Sequence, residues 1–549
     1  MQRLWSKDPS LWSSQAAEQA LIRQRLGWLS ILSVMEAQLP QIRRMSEAIR
    51  QEGFTHALLL GMGGSSLFSE VCRQTLGAAP GWLDVQVLDS TDPTAIEQAR
   101  TRLPLEKTLV IAASKSGTTI EVNALCAYFY AQLQALGDGQ AGRRCMAITD
   151  AGTPLEDHAN HLGFRHIFAH GPGSGQDVGG RFSAPTFFGL VPAALMGVDV
   201  QRLLESAKTM SAACQPQASL AENPAVQLGT LLAQAAADGR DKITLLLGPG
   251  LSSVGTWIEQ LLAESTGKSG QGLIPIHGEP LHEPSRYGRD RMFVELQILH
   301  EEDQELGRLV EELAAAGHPV IRLRWRNRLD LGAEAMRWFL ATAVAARLMR
   351  LNPFDEPDVQ ASKDRTIALL EIAKRQGGLP PEQPLLTDPR LTFFGGRRRA
   401  NDSPAELLKG FFQQHATNEY VALLSFLPRS PKLDEGVHTL RRHIGEALGV
   451  VTTIGIGPRY LHSTGQLFKG GPNTGLFLLL TADDPTDLPV PGQHYSFGTL
   501  KRAQAVGDFQ ALSERGRRVL RIHLGASPNA GLRSLQDVFA QMRVETRAR

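Results

Sequence analysis

Short, wholly apolar runs alternate with longer stretches of helical period along most of the chain. "HALLLG" (56–61), "DVQVLD" (84–89), "KTLVIAAS" (107–114) and "RRCMAITD" (143–150) are expected to be strands, with "EVNALCAYFYAQLQAL" (121–136) a helix between the last two. A second set repeats the rhythm: "KITLLLG" (242–248), "GLIPI" (272–276), "MFVELQIL" (292–299) and "PVIRLRW" (319–325), with helices near 252–264, 302–316 and 333–350. Strand and helix in alternation imply parallel strands joined by helical crossovers, a doubly wound sheet. A third region, with strands at "YVALLSFL" (420–427), "VVTTIGIG" (450–457), "GLFLLLT" (475–481) and "RRVLRIHLG" (517–525), is less regular. The chain opens on a helical segment from about 11 to 52. The Pro-, Gly- and Arg-rich stretch 373–406 reads as a linker or lid, and its basic run "GGRRRA" (395–400) as a solvated part of it.

At 549 residues the chain is too long for one core. The expected division is a helical segment over 1–50, α/β domains over 51–215 and 216–375, and a C-terminal α/β region over 376–549.

Fifty-seven Lys and Arg against 56 Asp and Glu leave a net charge of +1 with no long block of one sign, which argues against nucleic acid as a partner. Four scattered cysteines, without CxxC spacing, suggest buried thiols in a reducing compartment. No run approaches the roughly 18 apolar residues of a membrane span, and the first 15 residues lack a signal-peptide core. A soluble, cytoplasmic protein acting on small molecules is expected.

One motif is written twice. "LLLGMGGSS" (58–66) and "LLLGPGLSS" (245–253) each place glycines and serines between a strand end and a helix start, as two copies of one α/β unit would. As a dinucleotide site the first copy is incomplete: Ser66 holds the third glycine position of GxGxxG, although Asp89 sits where a ribose-binding acid would. Glycines and hydroxyls ahead of a helix suit a phosphate better; a tight turn with a serine cap is the plain alternative. A further loop, "SKSGTT" (114–119), adds Ser114, Lys115, Ser116, Thr118 and Thr119 at another helix start, with Glu121 close behind. These are more donors than capping requires, and both loops would open at the carboxyl edge of one sheet.

"GMGGSSL" (61–67) with "SKSGTT" resembles the sugar-isomerase domain. "DVGGRFSAPTFFGL" (177–190), "AESTGK" (263–268) and "NPFDEPDVQASK" (352–363) narrow the resemblance to phosphoglucose isomerase, over about 50–365 and in the family's order. The N-terminal segment and the region beyond about 390 resemble the isomerase half of transaldolase–phosphoglucose isomerase fusions; nothing resembles the transaldolase half. The resemblance implies two tandem doubly wound sugar-isomerase domains plus the C-terminal α/β region. It implies an aldose–ketose isomerisation of glucose 6-phosphate and fructose 6-phosphate through ring opening and a cis-enediol, without cofactor or metal, in a homodimer. By motif position Glu264 is the proton-transferring base, Arg181 faces the developing negative charge and Gln260 contacts substrate. Gly64, Ser65, Ser114, Ser116, Thr118 and Thr119 hold the phosphate with help from Lys115, and Lys363 lies near the ring oxygen.

The chain departs from the family at two places. Glu356 stands where the family has glutamine and Asp358 where it has glycine, and a carboxylate on the phosphate side repels a dianion unless it turns away or pairs with a cation. No histidine follows "ESTGK" in a "GQH" stretch; Tyr287 to Arg291 reads "YGRDR". His462, in "RYLHSTGQLFKGGPNTG" (459–475), is the candidate ring opener, the alternative being a structural loop histidine near Arg459 and Lys469. Many family members take this histidine from a neighbouring subunit. His277, Glu279 and His282 have Pro-broken spacing unlike a helical metal motif. Two other functions fit the domain pair: a sugar-phosphate-binding regulator, which has no need of a base, and an isomerase for mannose or amino-sugar phosphates.

Overall fold

The computed structural model describes residues 1–396, 402–413, 416 and 418–547, with side chains to Gln541. Most of the basic run 395–400 lies outside the described residues. The first sheet contains β1 (His56–Gly61), β2 (Asp84–Leu88), β3 (Thr108–Ala113), β4 (Cys145–Asp150) and β5 (His166–His170), all parallel, in the order β2-β1-β3-β4-β5. The second contains β6 (Lys242–Leu247), β7 (Ile274–Ile276), β8 (Arg291–Ile298) and β9 (Val320–Trp325), also parallel, in the order β7-β6-β8-β9. Each unit therefore starts one strand in from the edge of its sheet, steps to that edge and then crosses to the other side. The crevice this reversal opens lies beside the carboxyl ends of β1 and β6, which is where the repeated Gly-Ser turn stands in both units.

The C-terminal region is more regular than its sequence suggests. β12 (Tyr420–Phe426), β13 (Val451–Ile456), β14 (Gly475–Thr481) and β15 (Arg518–His523) are parallel in the order β13-β12-β14-β15, the same winding a third time. The expected linker contributes to this sheet: β11 (Thr392–Phe394) pairs antiparallel with β15, and β10 (Leu386–Thr387) with β11. All seven residues of β12 and of β14 are buried, as in a sheet covered on both faces, and this removes the in-out alternation that marks a strand in sequence.

Seven helices matter for the site: α1 (Ile31–Gln51), α2 (Leu67–Thr75), α3 (Ile120–Gln134), α4 (Ser252–Thr266), α5 (Gln360–Gln376), α6 (Pro431–Leu448) and α7 (Phe497–Glu514). Thirteen of the fifteen residues of α4 are buried, so it runs through the middle of the molecule. One hydrophobic core joins the first two units and the N-terminal segment, and Ala263, Ile274 and Ile276 of the second unit share another with the third sheet. The N-terminal segment buttresses the loop before residue 182: Trp28 stacks on Phe182 at 5.2 Å and Trp12 meets Phe354 edge-on at 4.9 Å. Phe182 is fully buried, which contributes about 2 kcal/mol or more to holding that loop in place.

Candidate active site

The first Gly-Ser turn is shaped by what approaches it. Gly63 adopts φ +53, and a Cβ there would lie 2.5 Å from the His462 carbonyl oxygen and 3.0 Å from Gln260 Nε2. A Cβ on Gly64 would lie 2.1 Å from the Gly180 carbonyl oxygen. Ser183 Oγ donates to that turn's Gly64 carbonyl at 2.9 Å. Glycine thus brings the first unit's turn against the arginine loop and the third unit's histidine loop.

The hydroxyls of "SKSGTT" are paired with one another. Ser114 Oγ and Thr119 Oγ1 are 2.9 Å apart, as are Ser116 Oγ and Thr118 Oγ1. Thr119 is the N-cap of α3 and Ser66 that of α2, yet neither side chain accepts an N–H of its helix. Capping therefore does not account for them, and the paired hydroxyls stand at the mouth of a helix N-terminus. Lys115 is committed elsewhere: its ammonium donates to Asp150 Oδ2 at 2.5 Å and to the Gln176 carbonyl at 2.9 Å. Burial outweighs their attraction on both sides, lowering Lys115 and raising Asp150 to about 6.

Arg181 and α4 form the opposite wall. Gln260 and Glu264, one turn apart on a single helical face, are joined by a 3.1 Å bond from Gln260 Nε2 to Glu264 Oε2. Arg181, 4% exposed, places Nη1 3.6 Å from that same Glu264 oxygen. Its other N–H groups go to Ser265 Oγ at 3.0 Å and to the carbonyls of Pro353 and Asp355 at 2.7 and 2.9 Å, so "ESTGK" and "NPFDE" fix the guanidinium from two sides. Burial raises the Glu264 carboxyl above the ordinary range; Arg181 opposes that shift and Glu356 adds to it. Such a carboxyl is poised for proton transfer at neutral pH.

The two departures from the family pattern become internal ties. Glu356 Oε2 accepts from Arg181 Nη1 at 3.0 Å, and although burial pushes its carboxyl up, Arg181 holds it below the ordinary range. The added carboxylate is therefore neutralised by the site's own cation. Asp358 accepts from Gln466 Nε2 at 2.6 Å and pairs with Arg515, linking the second unit to the third.

His462 enters from the third unit of the same chain, on the 3₁₀ turn Arg459–His462 after β13. Its Nε2 lies 2.8 Å from Glu121 Oε1, and its carbonyl accepts from Gln260 Nε2 at 2.9 Å. Burial alone would raise the Glu121 carboxyl, but His462 brings it below its usual range, so it is a carboxylate; Gln504 Nε2 on α7 donates to it at 2.7 Å. The loop is anchored beneath by a buried pair, Lys469 Nζ to Asp508 Oδ1 at 2.6 Å, with Tyr460 and Ser362 hydroxyls also on Asp508. Lys363, in the first turn of α5, is exposed, and its charge is felt at Glu121.

The structure thus gathers Gly64, Arg181, Gln260, Glu264 and His462 through direct contacts, with Ser114 and Thr119 on the loop leading to Glu121. Lys115 is turned to Asp150. Sequence reasoning passed over two residues. Glu121 was visible only as an acid beside the phosphate loop, and Lys268 only as the end of "ESTGK". The Lys268 ammonium reaches Asp355 Oδ1 and the Asn352 carbonyl at 2.6 and 2.7 Å and, lowered by burial to about 8, ties the two motifs together. His277 pairs with Glu259 at 3.1 Å and Glu279 with Arg291 at 2.5 Å, and among the described residues no group of three or more His, Cys, Asp or Glu could hold a metal ion.

Two doubly wound units meet here beside the hydroxyl loop and the buried Glu264 carboxylate, the arrangement that the resemblance to sugar-isomerase domains implies. Residues 31–272 match the family model described as phosphoglucose isomerase, a span that contains Arg181, Gln260, Glu264 and Lys268. The chain is 26% identical over 392 residues to a glucose-6-phosphate isomerase of Mycoplasmopsis pulmonis, covering 63% of this chain and 90% of the relative. It is 29% identical over 367 residues to one from a Synechococcus species, covering 59% and 67%. A solved structure of a hypothetical protein from Thermus thermophilus superposes with a TM-score of 0.57 at 26% identity, over 66% of this chain and 94% of that one. A glucose-6-phosphate isomerase from Chlamydia trachomatis shares the fold at a TM-score of 0.51 and 17% identity, over 67% and 78%. Over the matched span the chain is thus similar to phosphoglucose isomerases.

Proposed function

We propose that the protein interconverts glucose 6-phosphate and fructose 6-phosphate, and that the site described above performs the reaction. The observation that carries the residue assignment is the placement of the raised Glu264 carboxyl beside Arg181 on one wall, with the His462–Glu121 pair on the other. The phosphate is held by the hydroxyls of Ser65, Ser114, Ser116, Thr118 and Thr119 and by the N–H groups at Gly64 and the start of α3. Lys115 supports that loop from behind. His462, oriented by Glu121, passes a proton to the ring oxygen as the C1 hydroxyl gives one up, and Lys363 lends charge near that oxygen. In the open chain Glu264 takes the proton from C2, an enediol forms across C1 and C2, and the proton returns at C1. Arg181 stabilises the negative charge on the enediolate oxygen, an interaction stronger in the transition state than in the ground state.

The reaction needs no oxidant or reductant, because C2 is oxidised by the same two electrons that reduce C1, passed through the enediol while Glu264 carries the proton. The regulator reading is disfavoured by a buried, raised carboxyl with an arginine beside it, which binding alone does not require. Among the described residues no helix is long and apolar enough to cross a membrane, and the four cysteines are free and buried, in keeping with a reducing cytoplasm. A homodimer is the assembly implied by the resemblance, and sedimentation of the purified chain tests it.

Fructose 6-phosphate supplied with EDTA, with glucose 6-phosphate followed by a coupled dehydrogenase, is the direct assay. Turnover that disappears in Glu264→Gln supports the reading; no turnover by wild-type protein that still binds fructose 6-phosphate refutes it.

A further inference from the structure

The second copy of the Gly-Ser turn is not part of the catalytic site. Its helix, α4, carries Gln260 and Glu264 farther along, about 12 and 18 Å from Ser252 at 1.5 Å per residue. The turn opens instead on a separate cavity of about 410 Å³ where all three units meet, between the face of α2, the start of α4 and the carboxyl end of β13. Ser252 and Ser253 line it from the first turn of α4; Arg429, His438, Arg441 and Arg459 line it from the third unit.

Three arginines line the cavity against two carboxylates, Glu70 and Glu259. Arg441 is 2% exposed, and its N–H groups are taken by the carbonyls of His277, Gly278 and Thr452 and by Thr452 Oγ1. Among the described residues no carboxylate comes within 4.0 Å of it: its hydrogen bonds go to neutral oxygens, and Glu279 and Glu259 attract it only from farther off. Of the carboxylates that line the cavity, Glu70 pairs with Arg73 at 2.7 Å, while Glu259, 3.1 Å from His277, has an Oε2 without a hydrogen-bond partner among the described residues. Arg429 and Arg459, each about a third exposed, line the cavity while paired with Asp434 at 3.2 Å and Asp89 at 3.4 Å. Ser253 is 6% exposed, and among the described residues its hydroxyl has no partner. The N-terminus of a fifteen-residue helix points the same way.

We propose that this cavity is a second anion site, which takes a small phosphate-bearing metabolite other than the hexose phosphate in the catalytic site. Arg429 and Arg459 grip the phosphate, the first turn of α4 and Ser253 supply N–H and O–H donors, and Arg441 contributes its field from below. The occupant touches both elements that carry catalytic groups, α4 and the loop 459–463, whose other side presents His462 to Glu121.

Calorimetric titration of the full chain with inorganic pyrophosphate tests this, in the presence of saturating fructose 6-phosphate to keep the catalytic cup filled. One pyrophosphate per chain is expected. Arg429→Gln with Arg459→Gln should weaken it at least tenfold while isomerase activity remains. Ser252→Glu should weaken it equally: the carboxylate favours the helix N-terminus but repels the anion, so this variant folds. Ser114→Ala with Thr119→Ala, which dismantles the catalytic cup, should leave pyrophosphate binding intact, separating failure of this site from failure of the isomerase reading. Absence of binding to wild type, or binding that survives Ser252→Glu and is lost in the cup variant, overturns the proposal.

Discussion

His462 Nε2 lies 2.8 Å from Glu121 Oε1 across 341 residues of sequence, one on the third unit and the other at the start of α3 in the first. Neither residue can be placed by its neighbours in the chain. The contact exists because Asp508 of α7 holds the histidine loop from below through Lys469 and Tyr460, while Gln504 of the same helix holds Glu121. Glu121→Gln keeps the volume but removes the charge that orients the imidazole. We expect kcat/KM on the cyclic substrate to fall by about 10²-fold, the range of a positioned proton donor, and the loss to be small on an open-chain analogue. His462→Ala should give the same split, larger. Equal losses on both substrates would show that the pair does not act in ring opening.

Glu264→Gln should reduce isomerisation by about 10⁴-fold, because among the described residues no other carboxylate is placed beside both Gln260 and Arg181. Hexose phosphate binding, measured by calorimetry, should change little, since the phosphate loops lie on a different unit. Exchange of the C2 proton with solvent should vanish together with turnover; exchange that persists would place the base elsewhere.

Glu356→Gln restores the family residue and has a signed consequence. Glu356 raises the Glu264 carboxyl and competes for Arg181, so removing its charge lowers the Glu264 pKa. The base then stays ionised to lower pH, and the acid limb of the kcat/KM profile should move to lower pH. An unmoved or raised limb would mean that Glu264 does not set it.

Much of this was legible in sequence, for a physical reason in each case. Strands of doubly buried sheets appear as continuous apolar runs, and a turn that must admit a neighbouring backbone appears as glycine. β1, β6 and their turns were found on both grounds. The third unit looked less regular because its order depends on which strands pair, and its edge is completed by β10 and β11, whose two and three residues in a Pro- and Gly-rich stretch carry no strand signal. Glu121, Lys268 and the anchoring of the histidine loop were not legible, since each role depends on partners from another unit. Glu356 could be flagged as repulsive but not seen as paired, because its partner Arg181 lies on a loop 175 residues earlier.

Asp150 gives a stability test. Its carboxyl is raised from an ordinary 3.8 to about 6, burial outweighing Lys115, so between about pH 4 and pH 6 the folded state holds a proton that the unfolded state has lost. Stability is fully favoured by this group below that window and declines as pH rises through it. That shift corresponds to a loss on the order of 3 kcal/mol. Asp150→Asn cannot titrate, and its denaturant midpoint should be flatter than wild type from pH 4 to pH 6. Parallel profiles would mean that Asp150 titrates normally.

The contact between the phosphate turn and the arginine loop can be probed from either side. A methyl group on Gly64 would lie 2.1 Å from the Gly180 carbonyl oxygen and 2.9 Å from the Arg181 backbone nitrogen, and backbone atoms cannot rotate out of the way as a side-chain tip can. On Gly180 a Cβ meets nothing within 4 Å and needs no left-handed backbone. Gly64→Ala should therefore force the two loops apart, moving Arg181 relative to both phosphate and Glu264, while Gly180→Ala should be accommodated. A displacement near 1 Å at the reacting centre costs about 10²-fold in rate, so kcat of Gly64→Ala should fall by that factor or more, with a lower Tm, and Gly180→Ala should remain within about twofold of wild type. If Gly64→Ala retains full turnover, the close approach of these loops is not what positions Arg181.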